Sequence, residues 1–372
     1  MMRVVVTGAG GLIGRHARSR LHAANCAAAH RGEAKPWDIV TLGHAAFQND
    51  AQLASALAGA DAVLHFAGVN RAPEAEVETA NPAISQRLVA ACGAADCDAH
   101  IVHANSTHAG RDTAYGRSKA RAADVLAEGV TRMTDLVLPH IFGEDARPFY
   151  NNVTATLIHQ ILDGTGPQLN PDGQVALLHA GAAADMAIDA IAKGQAGRIT
   201  PEGRQMTVAA LYERLRGFHD SYAANVIPDL SDPFDLQLFN TYRAAKVPAV
   251  RPLTRNTDSR GTLFEAVKGG GGGQTFLSTT KPGVTRGDHF HLDKVERFLV
   301  LGGEAVIRLR HVLSDEVQEI RVSGSEPVAI DMPTLTTHSI ENIGPGELLT
   351  LFWSHALFDP AAPDTYADRV MP

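Results

Sequence analysis

Three sets of residues in this chain have the types and spacing that chemistry requires. The first is Thr7-Gly8-Ala9-Gly10-Gly11-Leu12-Ile13-Gly14, directly behind the apolar run Val4-Val5-Val6. Glycines at 8, 11 and 14 suit a loop around a dinucleotide pyrophosphate. One permits a tight turn, one admits the phosphates to the backbone, and one lets the next helix pack closely on the sheet. The start of that helix, at Leu12 and Ile13, then presents free N–H groups to the anion. A glycine turn needs no cofactor by itself, and it is the place between a strand and a helix that favours the dinucleotide reading.

The second set is Tyr115-Gly116-Arg117-Ser118-Lys119, with Ser106 nine residues upstream. Residues four apart share a helix face, so Lys119 can lie near the Tyr115 hydroxyl. A free phenol ionises near ~10, too high for efficient proton exchange at neutral pH. A nearby cation favours the phenolate and brings the group into working range. A Tyr and a Lys four apart are common on surfaces; the glycine loop and Ser106 give this pair its meaning.

The third set is His289, His291, Glu296 and His338. On an extended strand His289 and His291 project to one side. Three imidazoles and one carboxylate match a divalent transition metal, with zinc, iron, nickel and manganese all suited. With 17 histidines in the chain, a chance His-x-His pair is expected, but the four-residue spacing is not.

The elements that must carry these residues have two textures. Through about residue 190, short apolar runs at 3–6, 38–42, 61–66, 100–103 and 135–138 alternate with helical stretches at 12–24, 52–57, 83–91 and 116–128. That alternation predicts an α/β fold, a parallel sheet with helices on both faces. Beyond Arg251 the runs 275–278, 297–301, 304–309, 328–330 and 348–352 are separated by Gly and Pro instead. They predict an all-β sandwich or barrel. The prolines of Val247-Pro248-Ala249-Val250-Arg251-Pro252 mark the join, giving domains at 1–245 and 246–372. The glycine run 269–273 reads as a flexible hairpin loop.

Composition sets limits. A length of 372 residues predicts two or three domains. Lys+Arg 33 against Asp+Glu 41 gives a net charge of −8, which argues against nucleic acid as the main partner. No apolar stretch approaches the ~20 residues of a membrane span, and the start does not read as a signal peptide. Cys26, Cys92 and Cys97 are odd in number without a C-x-x-C spacing, so neither a disulfide framework nor a cysteine zinc site is expected. The expected location is cytoplasmic.

The glycine loop, Asp61-Ala62-Val63-Leu64-His65-Phe66-Ala67-Gly68, Asn81, Ser106 and Tyr115-x-x-x-Lys119 together resemble the extended short-chain dehydrogenases/reductases. The resemblance implies a Rossmann-type doubly wound sheet. Tyr115 would be the proton donor, and Lys119 would lower its pKa and hold the nicotinamide ribose. Ser106, with Thr107 as the fallback, would orient the substrate carbonyl. Phe66, Ala67 and Gly68 would pass over the cofactor. NADP(H) and NAD(H) both stay open. Gly43-His44-Ala45-Ala46, after the second strand, holds neither an acid for an adenosine ribose nor an evident arginine for a 2′-phosphate, with Arg15 and Arg31 as candidates.

The runs Gly283 to Gly303 and Pro333 to Asn342 resemble the two motifs of the cupin superfamily, a jelly-roll fold. Leu335 stands where that family usually has glycine, and Pro327 where the second motif's leading glycine would fall. The resemblance implies a divalent metal, zinc first, on His289, His291, Glu296 and His338, although some sugar-epimerising cupins use a histidine as base and bind no metal.

The pairing of the two halves resembles the bifunctional capsular-polysaccharide enzymes of the CapF family. So do Ala67–Arg71, Arg147–Val153, Lys281–His311, Phe358–Pro360 and Asp364–Tyr366. That resemblance implies a homodimer acting on a UDP-linked 4-keto-6-deoxy-N-acetylhexosamine. Its cupin half would epimerise C3 and its dehydrogenase half would reduce C4 with NADPH, giving a UDP-6-deoxy-L-talosamine-type precursor of N-acetyl-L-fucosamine. Lys281, Lys294, Asp288, His311 and Tyr366 are the candidate acid–base groups, and Asn151 and Asn152 the candidate sugar contacts. Two other readings compete. One is a 4-keto-sugar reductase whose cupin is a dimerisation module with a structural metal. The other is a nucleotide-sensing regulator, which would not need Tyr115, Lys119 and Ser106 together.

Overall fold

A computed structural model describes residues 1–245 and 250–371. The chain divides into two compact units, Met1–Thr156 with Gln168–Leu211, and Leu157–Pro167 with Tyr212–Pro372. The domain boundary expected at 245/246 falls on residues 246–249, outside the described residues. Residues 212–245 are helical for the most part, yet they pack with the β-rich unit.

In chain order the first unit begins β1 (Met2–Thr7), α1 (Leu12–His30), β2 (Trp37–Leu42), α2 (His44–Gln48), α3 (Asp50–Leu57), β3 (Ala62–His65) and α4 (Glu74–Ala94). It continues through β4 (His100–Ser106), α5 (Ala114–Gly129), β5 (Met133–Leu138) and β6 (His140–Phe142) to the start of α6 (Val153–Leu162), whose residues from Leu157 on belong to the second unit. β7 (Gln174–His179), α7 (Ala180–Lys193), β8 (Gly197–Ile199) and β9 (Arg204–Thr207) complete it.

Six strands form a parallel sheet in the order β2-β1-β3-β4-β5-β8. The chain reverses direction between β1 and β3, and the crevice at the carboxyl ends there is where doubly wound sheets bind ligands. Val4, Val6, Leu64, Val102 and Leu136 pack on α1 and the small residues Ala183, Ala184 and Ala187 of α7. Val5, Val63 and Ile101 pack on Leu53, Leu57, Leu88 and Leu126 from the opposite face. Burial on both faces is why these strands read as unbroken apolar runs. Two helices outrun their expected ends. α1 continues through the alanine-rich stretch to His30, and α4 begins at Glu74 and runs through Pro82. Alanine is the best helix former, and packing of α4 against α5 overrides the proline's local penalty.

The second unit holds two five-stranded antiparallel sheets. One has the order Val250–Pro252, Val328–Met332, Glu296–Gly302, Leu348–Ser354, Gln274–Thr280. The other runs Val317–Ser323, Glu304–His311, Thr336–Asn342, Thr285–Phe290, Tyr366–Ala367. Phe298, Val300, Ile307, Leu309, Ile330, Met332 and Ile340 fill the space between them. The glycine run 269–273 is not the flexible loop expected. Gly270 N donates to Ile227 O at 2.7 Å, and a Cβ on Gly273 would fall 2.6 Å from Ser354 O. Glycine is there because neighbouring backbone leaves no room.

Arg297 is fully buried and donates twice to Asp331, at 2.6 and 2.9 Å, while Tyr222 OH also donates to that carboxylate. The network ties the helix Val208–Ala223, from Tyr212 onward, to the sheet. Asp331→Ala leaves a buried guanidinium unpaired and is expected to destabilise this unit by about 3–5 kcal/mol. In a Trp37→Phe background, Trp353 fluorescence reads that loss as a lower urea midpoint.

Candidate functional site

The glycine loop stands at the switch point. Gly8 has φ +65°, and a Cβ there would lie 2.6 Å from Ala67 N. At Gly14 a Cβ would fall 2.3 Å from Gly8 O. The loop therefore touches the backbone after β3 directly, and Gly11 N closes it on Gly8 O at 2.8 Å. Gly11 is the N-cap of α1 without a side-chain cap, and no acidic residue sits in the first turn. The N–H groups of Leu12 and Ile13 thus face an anion site without competition. Phe66, Ala67 and Gly68 follow β3 as its carboxyl-end exit. Asn81, buried in α4, clamps that exit. Its Oδ1 accepts from Val69 N, and its Nδ2 donates to Val69 O and Ser118 Oγ, each at 2.9 Å. Asn81 belongs to the sequence pattern, and its part in the fold is this clamp.

Ser106 ends β4 and Tyr115 lies in the first turn of α5, whose N-cap Thr113 accepts from Gly116 N at 3.0 Å. The Ser106 side chain lies close enough to the Tyr115 phenol to bear on its ionisation. Burial pushes the Tyr115 phenol up, and Ser106 opposes that rise. Lys119, one turn on, is buried, and its Nζ donates to Ala104 O at 2.6 Å. Burial brings its pKa down to about 8, with Asp135 opposing the fall. Serine, tyrosine and lysine thus meet where β4 and α5 adjoin, a set able to hand a proton to a carbonyl oxygen.

Other expected residues take distinct places. Asn151 Nδ2 donates to Asn70 O at 2.6 Å, which joins it to the segment after β3. Asn152 is committed elsewhere: Nδ2 donates to Ile141 O and Oδ1 accepts from Ala155 N, both at 3.0 Å. Arg31 is tied to Glu33 at the surface, at 2.9 and 2.7 Å. Arg15 stands on the glycine loop, donating to Gly10 O at 3.2 Å. Arg18, which sequence reading did not single out, donates to Ala9 O at 3.2 Å.

In the second unit the ligand atoms of His289, His291, Glu296 and His338 all lie within 4.8 Å of one another. His289 and His338 are paired across the strands Thr285–Phe290 and Thr336–Asn342, while Glu296 opens a strand of the other sheet. The ring tautomers test whether a metal fits. His291 Nδ1 donates to Asp364 O, His338 Nδ1 to Thr336 O, and His289 bonds the Gly287 backbone. With the Nδ1 protons of His291 and His338 fixed on those sides, their Nε2 lone pairs turn inward, as metal ligation requires. His338 Nε2 is buried without a hydrogen-bond partner, and His291 Nε2 is 3.0 Å from Glu296 Oε2. Burial lowers His289 to about 4 and His338 well below its ordinary value, and the imidazoles hold Glu296 down at about 2. Neutral imidazoles with a carboxylate are the donor set of a divalent cation. Leu335 keeps the turn that glycine usually makes by adopting φ +56° while buried.

A second buried group, His16, Glu144 and His179, has the opposite polarity. His179 Nδ1 accepts from Gly181 N at 3.3 Å, so its proton lies on Nε2, 2.8 Å from Glu144 Oε2. His16 Nε2 donates to Glu144 O at 3.1 Å. Both rings are donors here, and the group is an internal hydrogen-bond cluster around the Glu144 carboxylate, unlike the arrangement in the β unit.

Asp364 is the residue that sequence reading left without a role. Its carboxylate accepts from the N–H groups of Leu292, Asp293 and Lys294 at 2.8–2.9 Å, while its carbonyl fixes His291. Among the acid–base candidates, Tyr366 stacks on Phe290 beside the ligand strand, and Lys294 Nζ donates to Pro363 O at 2.6 Å. Asp288 Oδ1 accepts from Val370 N, and His311 Nδ1 from Leu313 N.

A glycine loop at the switch point of a parallel sheet, with Ser, Tyr and Lys on the adjoining strand and helix, defines a dinucleotide-dependent oxidoreductase class. The chain belongs to the NAD dependent epimerase/dehydratase family, whose model matches residues 4–200. Residues 256–366 match the polysaccharide biosynthesis C-terminal domain. Both units together are similar to the capsular polysaccharide assembling protein CapF from Staphylococcus aureus, at 30% identity and TM-score 0.59 over 99% of this chain and 100% of that one. CapF with the inhibitor 3-isopropenyl-tropolone aligns at 27% identity and TM-score 0.54 over the same shares. A Pseudomonas aeruginosa UDP-2-acetamido-2,6-beta-L-arabino-hexul-4-ose reductase is 29% identical over 386 residues, covering 99% of each chain.

Asp364→Ala removes the anchor of both His291 and the turn before Glu296. Outer-shell losses of this kind lower metal affinity about 10–100-fold. Competition with a chromophoric chelator measures it, and the Ser106–Tyr115–Lys119 site is expected to be unaffected.

Proposed function

We propose that this protein is a bifunctional nucleotide-sugar enzyme of polysaccharide biosynthesis. The β unit epimerises C3 of a UDP-linked 4-keto-6-deoxy-N-acetylhexosamine, and the Rossmann unit then reduces the C4 ketone with NADPH. The product is a UDP-6-deoxy-L-talosamine-type precursor of N-acetyl-L-fucosamine. The observation that carries this reading is that one chain holds both a complete Ser106–Tyr115–Lys119 set and a complete His289–His291–Glu296–His338 set. Full-length similarity to a UDP-hexulose reductase and to a capsule-assembling protein supports it.

The order of events follows from the chemistry. A C3 proton is acidic only because the neighbouring C4 carbonyl takes up charge as an enolate, so epimerisation must precede reduction. A divalent metal, zinc first, bound by His289, His291, Glu296 and His338 would supply Lewis acidity to that carbonyl. Those histidines, as ligands, cannot also be the base. Lys294 is the side-chain cation whose charge is felt at His289. Tyr366 flanks the ligand strand, and these two are the first candidates for moving the C3 proton.

Reduction then removes the carbonyl and ends exchange. Tyr115 gives its proton to O4 as hydride arrives at C4, Ser106 orients the carbonyl, and Lys119 holds the nicotinamide ribose. Gly8, Gly11, Leu12, Ile13 and Gly14 receive the pyrophosphate, with Phe66, Ala67 and Gly68 over the cofactor. Asn151, joined to Asn70, is the better placed of the two asparagines for the sugar. Arg15 and Arg18 beside the glycine loop favour NADPH over NADH, since either can meet a 2′-phosphate. Gln274–Thr280 is an edge strand that exposes Phe276 and Leu277, which supports a homodimer. Among the described residues no helix is long and apolar enough to cross a membrane.

Tyr115→Phe removes the proton donor and is expected to lower kcat for NADPH oxidation with the 4-keto sugar by about 10²–10⁴-fold. His338→Ala is expected to leave cofactor binding intact and abolish metal retention. Full oxidation rates in Tyr115→Phe would sink the reductase assignment.

A further inference from the structure

A row of polar residues crosses the core of the parallel sheet beneath Lys119. The strand register places Thr7 of β1 beside His65 of β3, and His65 beside His103 of β4. It then places His103 beside Asp135 of β5, and Asp135 beside Arg198 of β8. Partners in register share a face, and two residues back along the strands the same face is Val5, Val63 and Ile101, all wholly buried. His65 and His103 are each 1% exposed and Asp135 8%. Polar groups in such a place cost free energy unless they are paired.

The row is joined at both ends, while His103 and Asp135 are neighbours by strand register, with His103 Nδ1 and Asp135 Oδ1 each buried without a hydrogen-bond partner. Thr7 Oγ1 lies 2.8 Å from His65 Nδ1, the His65 and His103 rings stack at 5.6 Å, and Arg198 Nε donates to Asp135 Oδ2 at 3.3 Å. Lys119 meets the row from α5. Its Nζ is 2.6 Å from Ala104 O and 3.5 Å from His103 Nε2. An ammonium has three donors, so two point into the sheet and one is left for the cleft.

We propose that His103 and Asp135 are positioning residues that hold Lys119 in its charged form, and that Arg198, by competing for the Asp135 carboxylate, sets how strongly they do so. The proposal rests on Lys119 belonging to the reductase site. The titratable groups coupled to the ammonium are His65 and His103 from the sheet and Asp135 on the next strand, with Tyr115 one turn back on its own helix. Burial holds His65 at about 3 and His103 well below its ordinary value, so both are neutral. Asp135 is then the one anion of that group, and it is what opposes the fall in Lys119 that burial causes. The sign follows. Removing the carboxylate charge lowers the Lys119 pKa further, whereas relieving Asp135 of Arg198 raises it. A lysine that loses its proton no longer steadies the Tyr115 phenolate, so reduction falls as pH rises through the Lys119 pKa.

The test follows Lys119 directly in the full-length protein labelled with ¹³C-lysine, by NMR between about pH 6 and 11. Lysines are sparse in this sequence, which makes assignment by Lys119→Arg practical. Asp135→Asn is expected to move the Lys119 midpoint down by about one unit. His103→Leu is expected to lower it also, with His103→Gln, which keeps an acceptor, restoring part of the loss. Arg198→Glu, on an exposed side chain that does not endanger folding, is expected to move it up by a few tenths, since solvent screens an exposed charge. Equal midpoints in wild type and Asp135→Asn, or no upward shift in Arg198→Glu, would overturn the proposal. The falling limb of kcat/KM against pH should follow the same shifts. A lysine that moves while that limb stays fixed would uphold the tuning and remove Lys119 from the reductase instead.

Discussion

Two stretches of main chain meet at Gly8 and Gly14, and nothing larger than a hydrogen atom fits between them. A Cβ at Gly14 would lie 2.3 Å from Gly8 O, and one at Gly8 would strike the backbone of Phe66 and Ala67. This contact fixes the end of β1 against the end of β3 at the point where strand order reverses. The rest of the first unit is arranged around it. Asn81 fastens the segment after β3 to α4 and α5. α5 in turn carries Tyr115 and Lys119 alongside Ser106 at the end of β4. The open start of α1 and the Ser106–Tyr115–Lys119 set therefore share one edge of the sheet.

The β unit depends on a different device, the placement of protons on two of its imidazoles. Backbone carbonyls of Asp364 and Thr336 take the Nδ1 protons of His291 and His338, and the lone pairs are left to converge with Glu296. In the His16–Glu144–His179 group the same residue types carry their protons inward, and the outcome is a hydrogen-bonded carboxylate. Residue identity alone does not separate a ligand set from a hydrogen-bond cluster; the outer partners do.

That difference also marks how far the sequence could be read. Strand–helix alternation, the glycine loop and the Tyr115–Lys119 spacing are local patterns, and each was legible because a few consecutive residues carry it. So were His289, His291 and Glu296, which two strands and a turn carry, while His338 comes from a third strand, Thr336–Asn342. Partnerships between distant residues were not legible. Asn152 looked like a sugar contact until its amide was found capping the start of α6. Asp364 holds a turn more than sixty residues away, and no local pattern announces it. His103 and Asp135 read as ordinary strand residues, since only the register of four strands sets them in a row with His65 and Arg198. The glycine run 269–273 misled for the same reason, because its cause is the backbone of residues 227–229 and 354.

The central claim is that two kinds of chemistry follow one another on one chain, with proton exchange at C3 preceding reduction at C4. It is tested most directly by NMR in D₂O. The full-length protein receives a UDP-linked 4-keto-6-deoxy-N-acetylhexosamine without nicotinamide cofactor, and the C3 proton signal is followed with time. The two-site account predicts that the signal disappears, and that a chelator prevents its loss. A C3 proton that persists, while added NADPH is still oxidised, would contradict it and leave a reductase whose β unit takes no part in the chemistry.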